Sequence, residues 1–389
     1  LATVMDAERS DPMVRMKAAN VARICEAKFD ELATEVPEQA QKLRKVLAGM
    51  VMERYVSDVC STMKVVAVGA GTKIVSEPAL ANAKGEVVVD CHAEILCRRA
   101  FLRYLYDQLE ACVSGGESAI LERRRGSMGK YCLRNGVSFH LYISTNPCGD
   151  AAVFRDESRA HSNRASRGKA RVKVDAGMGG PLASNYQEDA RFVAMSCSDK
   201  IARWNYLGLQ GTLLSVFLEP LYLESVTVGN DFNYEHNYRA LYNRLVGTEV
   251  RRPYSLHCPT LNTVSLQFTE RSAGTPDYAV NWTEGDEKIE MIKCTTGKNR
   301  DETLLVSRIC KKELFRRYLR LKEESMPPSK RRKLNDTGAS ALCYSQAKAE
   351  ASEHGEAKRV FCESFRERCG SVWLSNAERH RLNSFFIED

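Results

Sequence analysis

The sequence contains no long apolar run, and this absence argues against a helical membrane protein. No stretch of the 389 residues approaches the roughly 18 apolar residues that a membrane-spanning helix needs. The sequence also lacks a recognisable secretory signal, an internal repeat and a low-complexity tract. Its 14 cysteines do not have the compact spacing of a disulfide framework. We therefore expect reduced thiols and no membrane partner.

The composition of the chain is typical of a folded domain. Hydrophobic residues make up 43% of the sequence, which is enough for a proper core in one elaborated domain. The net charge of +7 is compatible with many partners. The distribution of that charge along the chain is more informative than its total.

Two short motifs carry the strongest chemical signal. Residues 90–94 read Asp-Cys-His-Ala-Glu, and residues 147–150 read Pro-Cys-Gly-Asp. His92 and Cys148 are residue types that bind zinc. Glu94 follows the histidine at the spacing expected of a residue that moves protons without binding the metal. Each motif alone is weak evidence, but their order and residue types agree.

A third zinc ligand must come from elsewhere, because Ala151 stands where the usual second cysteine of Pro-Cys-x-x-Cys belongs. Cys197 is the best candidate. A His-Cys-Cys set fits catalytic zinc, which keeps its fourth position open for water. Zinc lowers the pKa of that water to about 7, so hydroxide is available near neutral pH, and Glu94 would transfer its proton.

The coarse pattern of secondary structure predicts an α/β domain. Residues 64–73 and 139–144 read as buried strands, and each precedes one half of the zinc motif. Pro147 predicts a helix that begins at the second half, with Cys148 at its positive end. Residues 213–218 and 226–228 are candidates for further strands. Apolar residues from Val14 to Phe29 recur at helical spacing.

Two basic segments indicate contact with nucleic acid or with solvent. Residues 155–187 are polar and predict a long surface loop. Its cations Arg164, Arg167, Lys169, Arg171 and Lys173 precede a glycine-rich tip. Such a loop is either a solvated insertion or a surface for phosphate groups. The basic run at residues 326–334 is a nuclear localisation signal, a nucleic-acid-binding patch or a solvated loop.

Other cations lie among apolar residues of predicted helices. At least one of Arg98 and Arg99, just after Glu94, must enter an apolar face. Similar residues recur at Lys200, Arg203, Trp204, Lys311, Tyr344, Lys348, Lys358 and Trp373. Because a buried unpaired cation is costly, these side chains either extend to solvent or surround a bound polyanion.

From about residue 44 to Trp373 the sequence resembles the deaminase domain of adenosine deaminases acting on RNA. The most specific matches are Cys-His-Ala-Glu at 91–94, Pro-Cys-Gly-Asp at 147–150, residues 196–205, Val-Asn-Trp at 280–282 and Thr-Thr-Gly-Lys at 295–298. The resemblance implies a cytidine-deaminase-like mixed sheet flanked by helices and enlarged by insertions. We expect residues 1–40 to form a lead-in and a helix of the catalytic unit, and residues 41–389 to form the deaminase domain.

The resemblance also implies roles for particular residues. It implies His92, Cys148 and Cys197 as zinc ligands and Glu94 as the catalytic residue. It implies inositol hexakisphosphate bound by Arg98, Arg99, Lys200, Arg203, Trp204, Lys311, Tyr344, Lys348, Lys358 and Trp373. Asp90 and Lys173 would relay hydrogen bonds from this cofactor to zinc. The implied RNA-binding residues are Val46, Thr72, Lys73, Arg164, Arg167, Met178, Gly179 and Lys298.

The implied reaction is conversion of adenosine to inosine in double-stranded RNA by base flipping. Met178 departs from the family pattern, because relatives usually have a glutamate at the position that fills the gap left by the flipped base. Two alternatives stay open: a tRNA-specific adenosine deaminase, and a catalytically weak RNA-binding regulatory homologue. The basic glycine-tipped loop favours duplex RNA. We expect nuclear localisation, with or without a cytoplasmic pool, and RNA targeting by a protein partner or a homo-oligomer.

Overall fold

The computed structural model has a central mixed sheet with helices on both faces. It describes residues 11–36, 46–57, 60–80, 83–124, 129–152, 167–174, 177–181, 192–264, 277–301, 306–326, 342–374 and 383–387. The predicted α/β class, with a mixed sheet flanked by helices, is confirmed. No helix among the described residues is long and apolar enough to cross a membrane.

The main sheet has eight strands in the order β12-β11-β7-β1-β2-β13-β14-β15. Its strands are β1 Leu47–Ser57, β2 Cys60–Ala70, β7 Val137–Thr145, β11 Ser225–Asn230, β12 Thr260–Thr263, β13 Tyr278–Thr283, β14 Glu290–Lys293 and β15 Lys298–Asn299. β11 runs parallel to both β7 and β12, whereas the other neighbours are antiparallel. The two parallel pairs, β7 with β11 and β11 with β12, require crossover connections.

The remaining elements surround this sheet. Short strands are β3 Thr72–Ile74, β4 Asp90–His92, β5 Leu121–Arg123, β6 Tyr131–Leu133, β8 Arg171–Val174, β9 Gly177–Pro181 and β10 Phe192–Met195. The helices are α1 Pro12–Ala33, α2 Ala93–Val113, α3 Cys197–Leu207, α4 Gly211–Leu214, α5 Tyr234–Leu241, α6 Lys311–Glu324, α7 Tyr344–Ala349 and α8 Ser352–Cys369. One-turn 3-10 helices lie at Glu77–Leu80, Asp150–Ala152 and Asn243–Leu245.

Side chains of β1 point alternately to the two faces of the sheet, where they pack against α1 on one side and α2 on the other. Leu47 and Val51 pack in one apolar cluster with the buried face of α1. Ala48, Met50 and Met52 belong to the cluster on the opposite face, with α2. Because neighbouring residues of a strand point to opposite faces, one buried strand serves both layers. Helix α2, which carries Glu94, is thereby fixed against the centre of the sheet.

Gly69 allows α2 to begin very close to the sheet. A Cβ at this position would lie 2.4 Å from both the Ala93 carbonyl oxygen and the Cys97 amide nitrogen. The Ala93 amide also donates a 3.0 Å hydrogen bond to the Gly71 carbonyl. The end of β2 therefore holds the first turn of α2.

Three local predictions from the sequence are wrong. Residues 213–218 are not a strand, because Gly211–Leu214 forms a short helix there. Residues 155–187 are not entirely loop, because β8 and β9 pair within that range. Cys148 does not begin an α-helix; it lies in a turn before the 3-10 helix Asp150–Ala152. The strands predicted at 64–73, 139–144 and 226–228 are confirmed.

Candidate active site

His92, Cys148 and Cys197 come together at one end of the sheet. Their candidate ligand atoms, one from each side chain, all lie within 4.8 Å of one another. Nδ1 of His92 lies 3.8 Å from Sγ of Cys148. One imidazole and two thiol groups form a donor set suited to zinc. The sequence positions of these residues span more than a hundred residues, so the fold and not local sequence creates the cluster.

Three different elements supply these side chains. His92 ends β4 and occupies the position just before the first residue of α2, and Cys197 is the first residue of α3. Cys148 lies in the turn that follows β7. The turns of the two cysteines touch, because the Ser198 amide donates a 3.0 Å hydrogen bond to the Cys148 carbonyl.

The two thiols differ in acidity. The hydrogen bond with Cys197 lowers the pKa of Cys148 well below its ordinary value, and the Lys173 charge acts in the same direction. The backbone amide of Cys197 lies 3.4 Å from Sγ of Cys148. Burial raises the pKa of Cys197. The first negative charge of the pair is thus favoured on Cys148, and a thiolate is the form that binds metals.

Glu94 lies beside this cluster in the first turn of α2. Its side chain is buried, with an exposure of 2%. The Oε2 atom has no hydrogen-bond partner among the described residues. The negative charge of Glu94 contributes to the raised pKa of Cys197 and of Lys173, which indicates its proximity to both. A buried carboxylate oxygen without a protein partner is available to a substrate or to water.

Asp90 and Lys173 connect the cluster to a cavity behind it. Nζ of Lys173 lies 2.7 Å from Oδ2 of Asp90 and 3.0 Å from Sγ of Cys197. Lys200 forms an ion pair with the same Asp90 oxygen. Burial alone would raise the pKa of Asp90, but Lys173 and Lys200 lower it well below its usual value. Asp90 is therefore a carboxylate that two ammonium groups share.

The cavity has a volume of about 350 Å³, and most of its charged lining is positive. Six cationic side chains line it, against the single carboxylate of Asp90 among the described residues. The cations are Arg98, Arg99, Lys200, Arg203, Lys311 and Lys348. Trp204, Tyr344 and Trp373 also line it. Nine of the ten residues predicted to bind a polyanion thus line this cavity. The tenth, Lys358, lies close enough to Lys311 to affect its pKa.

The positive charges around this cavity repel one another, and burial and this repulsion together lower the pKa values of two side chains. Burial, with the nearby charges of Lys348 and Arg99, lowers the pKa of Lys311 to about 7. Lys358 contributes in the same direction. Burial and the Arg203 charge lower the pKa of Arg98 to about 9. The Nε atom of Arg98 has no hydrogen-bond partner among the described residues. The cavity is therefore suited to an anion with several charged oxygens.

Comparison with known proteins agrees with this arrangement. A family model of the adenosine-deaminase (editase) domain matches residues 67–377. The chain belongs to that family. The resemblance inferred from the motifs is confirmed, and the metal cluster and cavity described above lie in an editase domain.

Two editases are similar over nearly the whole chain. The double-stranded RNA-specific editase Adar of Drosophila melanogaster is 36% identical over 387 residues, or 95% of this chain and 55% of the fly protein. The double-stranded RNA-specific adenosine deaminase of Mus musculus is 36% identical over 369 residues, or 87% of this chain and 30% of the mouse protein. The chain thus spans about half or less of these relatives.

A tRNA-specific relative is less similar. The tRNA-specific adenosine deaminase 1 of Drosophila melanogaster is 29% identical over 306 residues, which cover 72% of this chain and 74% of that protein. The editase domain is therefore related to enzymes named for two kinds of RNA.

Some predicted RNA-binding residues lie next to the metal cluster. Thr72 and Lys73 in β3 pair with His92 and Cys91 in β4. The Val46 carbonyl accepts a 3.2 Å hydrogen bond from the Gly71 amide. These contacts place three of the predicted residues around the strand that ends in His92, the first candidate metal ligand.

The other predicted RNA-binding residues are more dispersed. Met178 and Gly179 lie in β9, and Met178 pairs with Lys173 of β8. Arg167 lies in the turn before β8, and Lys298 in β15 forms an ion pair with Glu86 at 3.3 Å. Arg164 lies outside the described residues, as do residues 327–334 of the basic run.

Several residues of the site were missed by sequence reasoning. His354 lines the cavity, and burial lowers its pKa to about 3. Lys311 donates a 2.9 Å hydrogen bond to Asn383 Oδ1. Two buried aspartates, Asp150 and Asp199, each follow a cysteine of the candidate metal cluster by two residues. The repeated Cys-x-Asp spacing was the one signal in the sequence that could have pointed to this pair.

Proposed function

We propose that this chain is a zinc-dependent hydrolytic deaminase that converts adenosine to inosine in double-stranded RNA. The observation that supports this proposal most directly is the cluster of His92, Cys148 and Cys197 beside the buried Glu94 carboxylate. Three protein ligands with a proton-transferring group next to them match the needs of this chemistry. The family supports adenosine as the base, and the names of the most similar relatives support duplex RNA.

His92, Cys148 and Cys197 would hold the zinc ion. The thiolate favoured at Cys148 and the neutral imidazole nitrogen suit this donor set. When bound, zinc would supply a water molecule acidic enough to lose a proton near pH 7. The Lys173 ammonium, 3.0 Å from Sγ of Cys197, helps to balance the negative charge of the two thiolates.

Glu94 carries the proton transfers. Its carboxylate accepts a proton from the attacking water and returns it to a ring nitrogen of the adenine. Glu94 then takes the proton of the new C6 hydroxyl and delivers it to the amine, whose bond to C6 breaks, so that adenosine and water give inosine and ammonia. Burial excludes bulk water from the Glu94 carboxylate, and the oxygen without a protein partner is free to face the reacting atoms.

The cation-lined cavity fits inositol hexakisphosphate as a structural cofactor. Arg98, Arg99, Lys200, Arg203, Trp204, Lys311, Tyr344, Lys348, Lys358 and Trp373 would surround it. The Arg98 Nε atom without a partner and the lowered pKa of Lys311 support a polyanion at this place. Asp90, bonded to Lys200 and Lys173, would then link the cofactor to the metal ligands. Phosphate groups would offset the mutual repulsion of the cations.

The substrate adenosine must leave the RNA stack to reach a buried Glu94. Thr72, Lys73 and Val46 stand near the metal cluster and would contact the RNA at the entrance. Lys298, Arg164, Arg167, Met178 and Gly179 would contact the duplex on either side. Targeting of the RNA would come from a protein partner or a homo-oligomer, and the basic run at 326–334 supports a nuclear location.

A direct comparison of substrates tests the proposed function. We expect the zinc-loaded protein to form inosine in a duplex RNA with a central adenosine, and to act much more slowly on a tRNA anticodon stem-loop. Inosine is measured by sequencing or by nucleoside chromatography. The reverse preference would assign the chain to the tRNA-specific class. Tight duplex binding without inosine in either RNA would identify a regulatory homologue.

Met178 provides a prediction about base flipping. A glutamine at this position can donate and accept hydrogen bonds toward the orphaned partner base, whereas a thioether is only a weak acceptor. One such bond contributes about 0.5–1.5 kcal/mol. We therefore expect Met178→Gln to raise the single-turnover editing rate by a few-fold up to about tenfold. Met178→Ala is the control, and equal rates for parent, Gln and Ala proteins would show that Met178 does not act in the RNA stack.

A further inference from the structure

Each of the two cysteines in the metal cluster is followed by a buried aspartate that an arginine binds. The sequence reads Cys148-Gly149-Asp150 in one turn and Cys197-Ser198-Asp199 in the other. Both aspartates have an exposure of 0%. A buried carboxylate needs a charged or hydrogen-bonded partner. In both turns that partner comes from the same short segment of the chain.

Arg239 holds the Cys148 turn. Its Nε atom lies 2.9 Å from Oδ2 of Asp150, and its Nη2 atom lies 3.1 Å from Oδ1. The same Nη2 atom donates to the Asp150 backbone carbonyl at 3.1 Å. A fork of this kind fixes direction as well as distance, since two guanidinium nitrogens bind the same carboxylate. Rotation of Asp150 would move Cys148, two residues before it.

Arg244 holds the Cys197 turn. Its Nη2 atom lies 2.6 Å from Oδ1 of Asp199, and the arginine side chain is only 3% exposed. The other carboxylate oxygen accepts hydrogen bonds from the Ser196 hydroxyl at 2.6 Å and from the Arg171 amide at 3.0 Å. The helix that begins at Cys197 is therefore fixed at its first turn.

The two arginines belong to one continuous piece of structure. Arg239 is in α5 and Arg244 is in the 3-10 helix Asn243–Leu245, which follows at once. The Asn237 side chain of α5 also donates a 2.8 Å hydrogen bond to Asn146 Oδ1, just before the Cys148 turn. Asn205 of α3 donates a 2.9 Å bond back to the Leu241 carbonyl. Residues 234–245 thus form hydrogen bonds or ion pairs with both cysteine turns.

We propose that Arg239 and Arg244 are positioning residues that set the spacing and direction of the two cysteine ligands. Neither arginine is a predicted ligand; each acts on a thiolate through an aspartate. This inference rests on the proposed zinc site. When the metal is absent, no bond joins the two cysteine side chains, so other contacts must hold their turns in place for it. Residues 234–245, which comprise α5 and the following 3-10 helix, supply those contacts.

Lysine substitutions test the inference, because lysine keeps the positive charge but loses the planar guanidinium group that contacts each aspartate. We expect Arg239→Lys and Arg244→Lys each to weaken zinc affinity by about 10- to 100-fold, which is the usual effect of residues that orient metal ligands. Affinity is measured by competition with a chromophoric chelator. In the cobalt-substituted proteins, we expect weaker or shifted visible bands, which report coordination geometry. A merely stabilising role would leave those bands unchanged.

Arg317→Lys is the matched control. Arg317 is 16% exposed, similar to the 20% of Arg239, and binds Glu110 and Asp107 at 2.6–2.9 Å. Its partners lie in the second half of α2, and Asp107 stands about 20 Å along the helix from Glu94 at 1.5 Å per residue. We expect its zinc affinity and cobalt spectrum to match the parent. Thermal midpoints of all variants separate loss of metal from loss of fold.

The outcomes divide clearly. Unchanged zinc affinity and cobalt bands in Arg239→Lys would overturn the inference, as would an equal loss in Arg317→Lys. Should Arg244→Lys fail to fold, the partly exposed Arg239 still decides the question. A parent that binds zinc tightly but forms no inosine would refute the proposed function and leave the positioning role intact. A parent that binds no zinc would refute both.

Discussion

Replacement of Glu94 by alanine is expected to abolish measurable deamination while about one zinc ion per chain is retained. In the proposed mechanism the carboxylate transfers protons and is not a ligand, so its loss would remove general acid–base catalysis, which contributes about 10²- to 10⁴-fold. Glu94→Gln should be similarly impaired, because it keeps the shape and loses the basic oxygen. Single-turnover assays on duplex RNA, with metal analysis of the same samples, measure both effects.

Two comparisons make this expectation specific. His92→Ala should lose zinc as well as activity, since it removes a ligand. The thermal midpoint of Glu94→Ala should not fall below that of the parent, because the buried Oε2 atom has no partner among the described residues. Normal turnover in Glu94→Ala would contradict the proposed mechanism, and loss of metal in that variant would show that Glu94 is itself a ligand.

Much of the fold could be predicted because its signals are local. Residues 64–73 and 139–144 are apolar enough to read as central strands, and α1 and α2 follow from helical spacing. The failures have local causes too. The apolar residues of 213–218 occur in a helical turn that packs on the core, and apolar content alone does not separate a short helix from a strand.

The residues of the candidate metal cluster could be predicted from the sequence, but the contacts that support them could not. His92, Cys148 and Glu94 stand in motifs whose residue types point to their chemistry. The prediction that Pro147 starts a helix is wrong, since the turn at Cys148 is held from outside by Arg239. Arg239 lies 89 positions from Asp150 in the chain, and no local pattern connects residues so far apart. Long-range ion pairs of this kind become visible only in the folded structure.

The second large effect concerns the cation-lined cavity. We expect folded protein to release a highly phosphorylated small molecule on denaturation, detectable by mass spectrometry at about one per chain. We also expect Lys200→Ala and Arg203→Ala to accumulate as insoluble or unfolded protein. Each substitution would remove a cation that binds the polyanion, and the elements around the cavity pack against that bound molecule in the proposed structure. Lys322→Ala is the control: Lys322 is 27% exposed, binds Glu350 and does not line the cavity, so its yield should match the parent.

Refolding supplies the strictest form of this test. Denatured protein should recover its structure with added inositol hexakisphosphate and zinc, and recover poorly with zinc alone. The pKa of Lys311 is lowered from 10.5 to about 7 by burial and by neighbouring cations. Between these values the unfolded chain binds more protons than the folded one, so protein without a polyanion should gain stability as pH rises from about 7 toward 10. Phosphate groups would restore the charged form of Lys311 and remove this dependence. Equal refolding with and without the polyanion, together with no phosphorylated molecule in active protein, would overturn the assignment of the cavity.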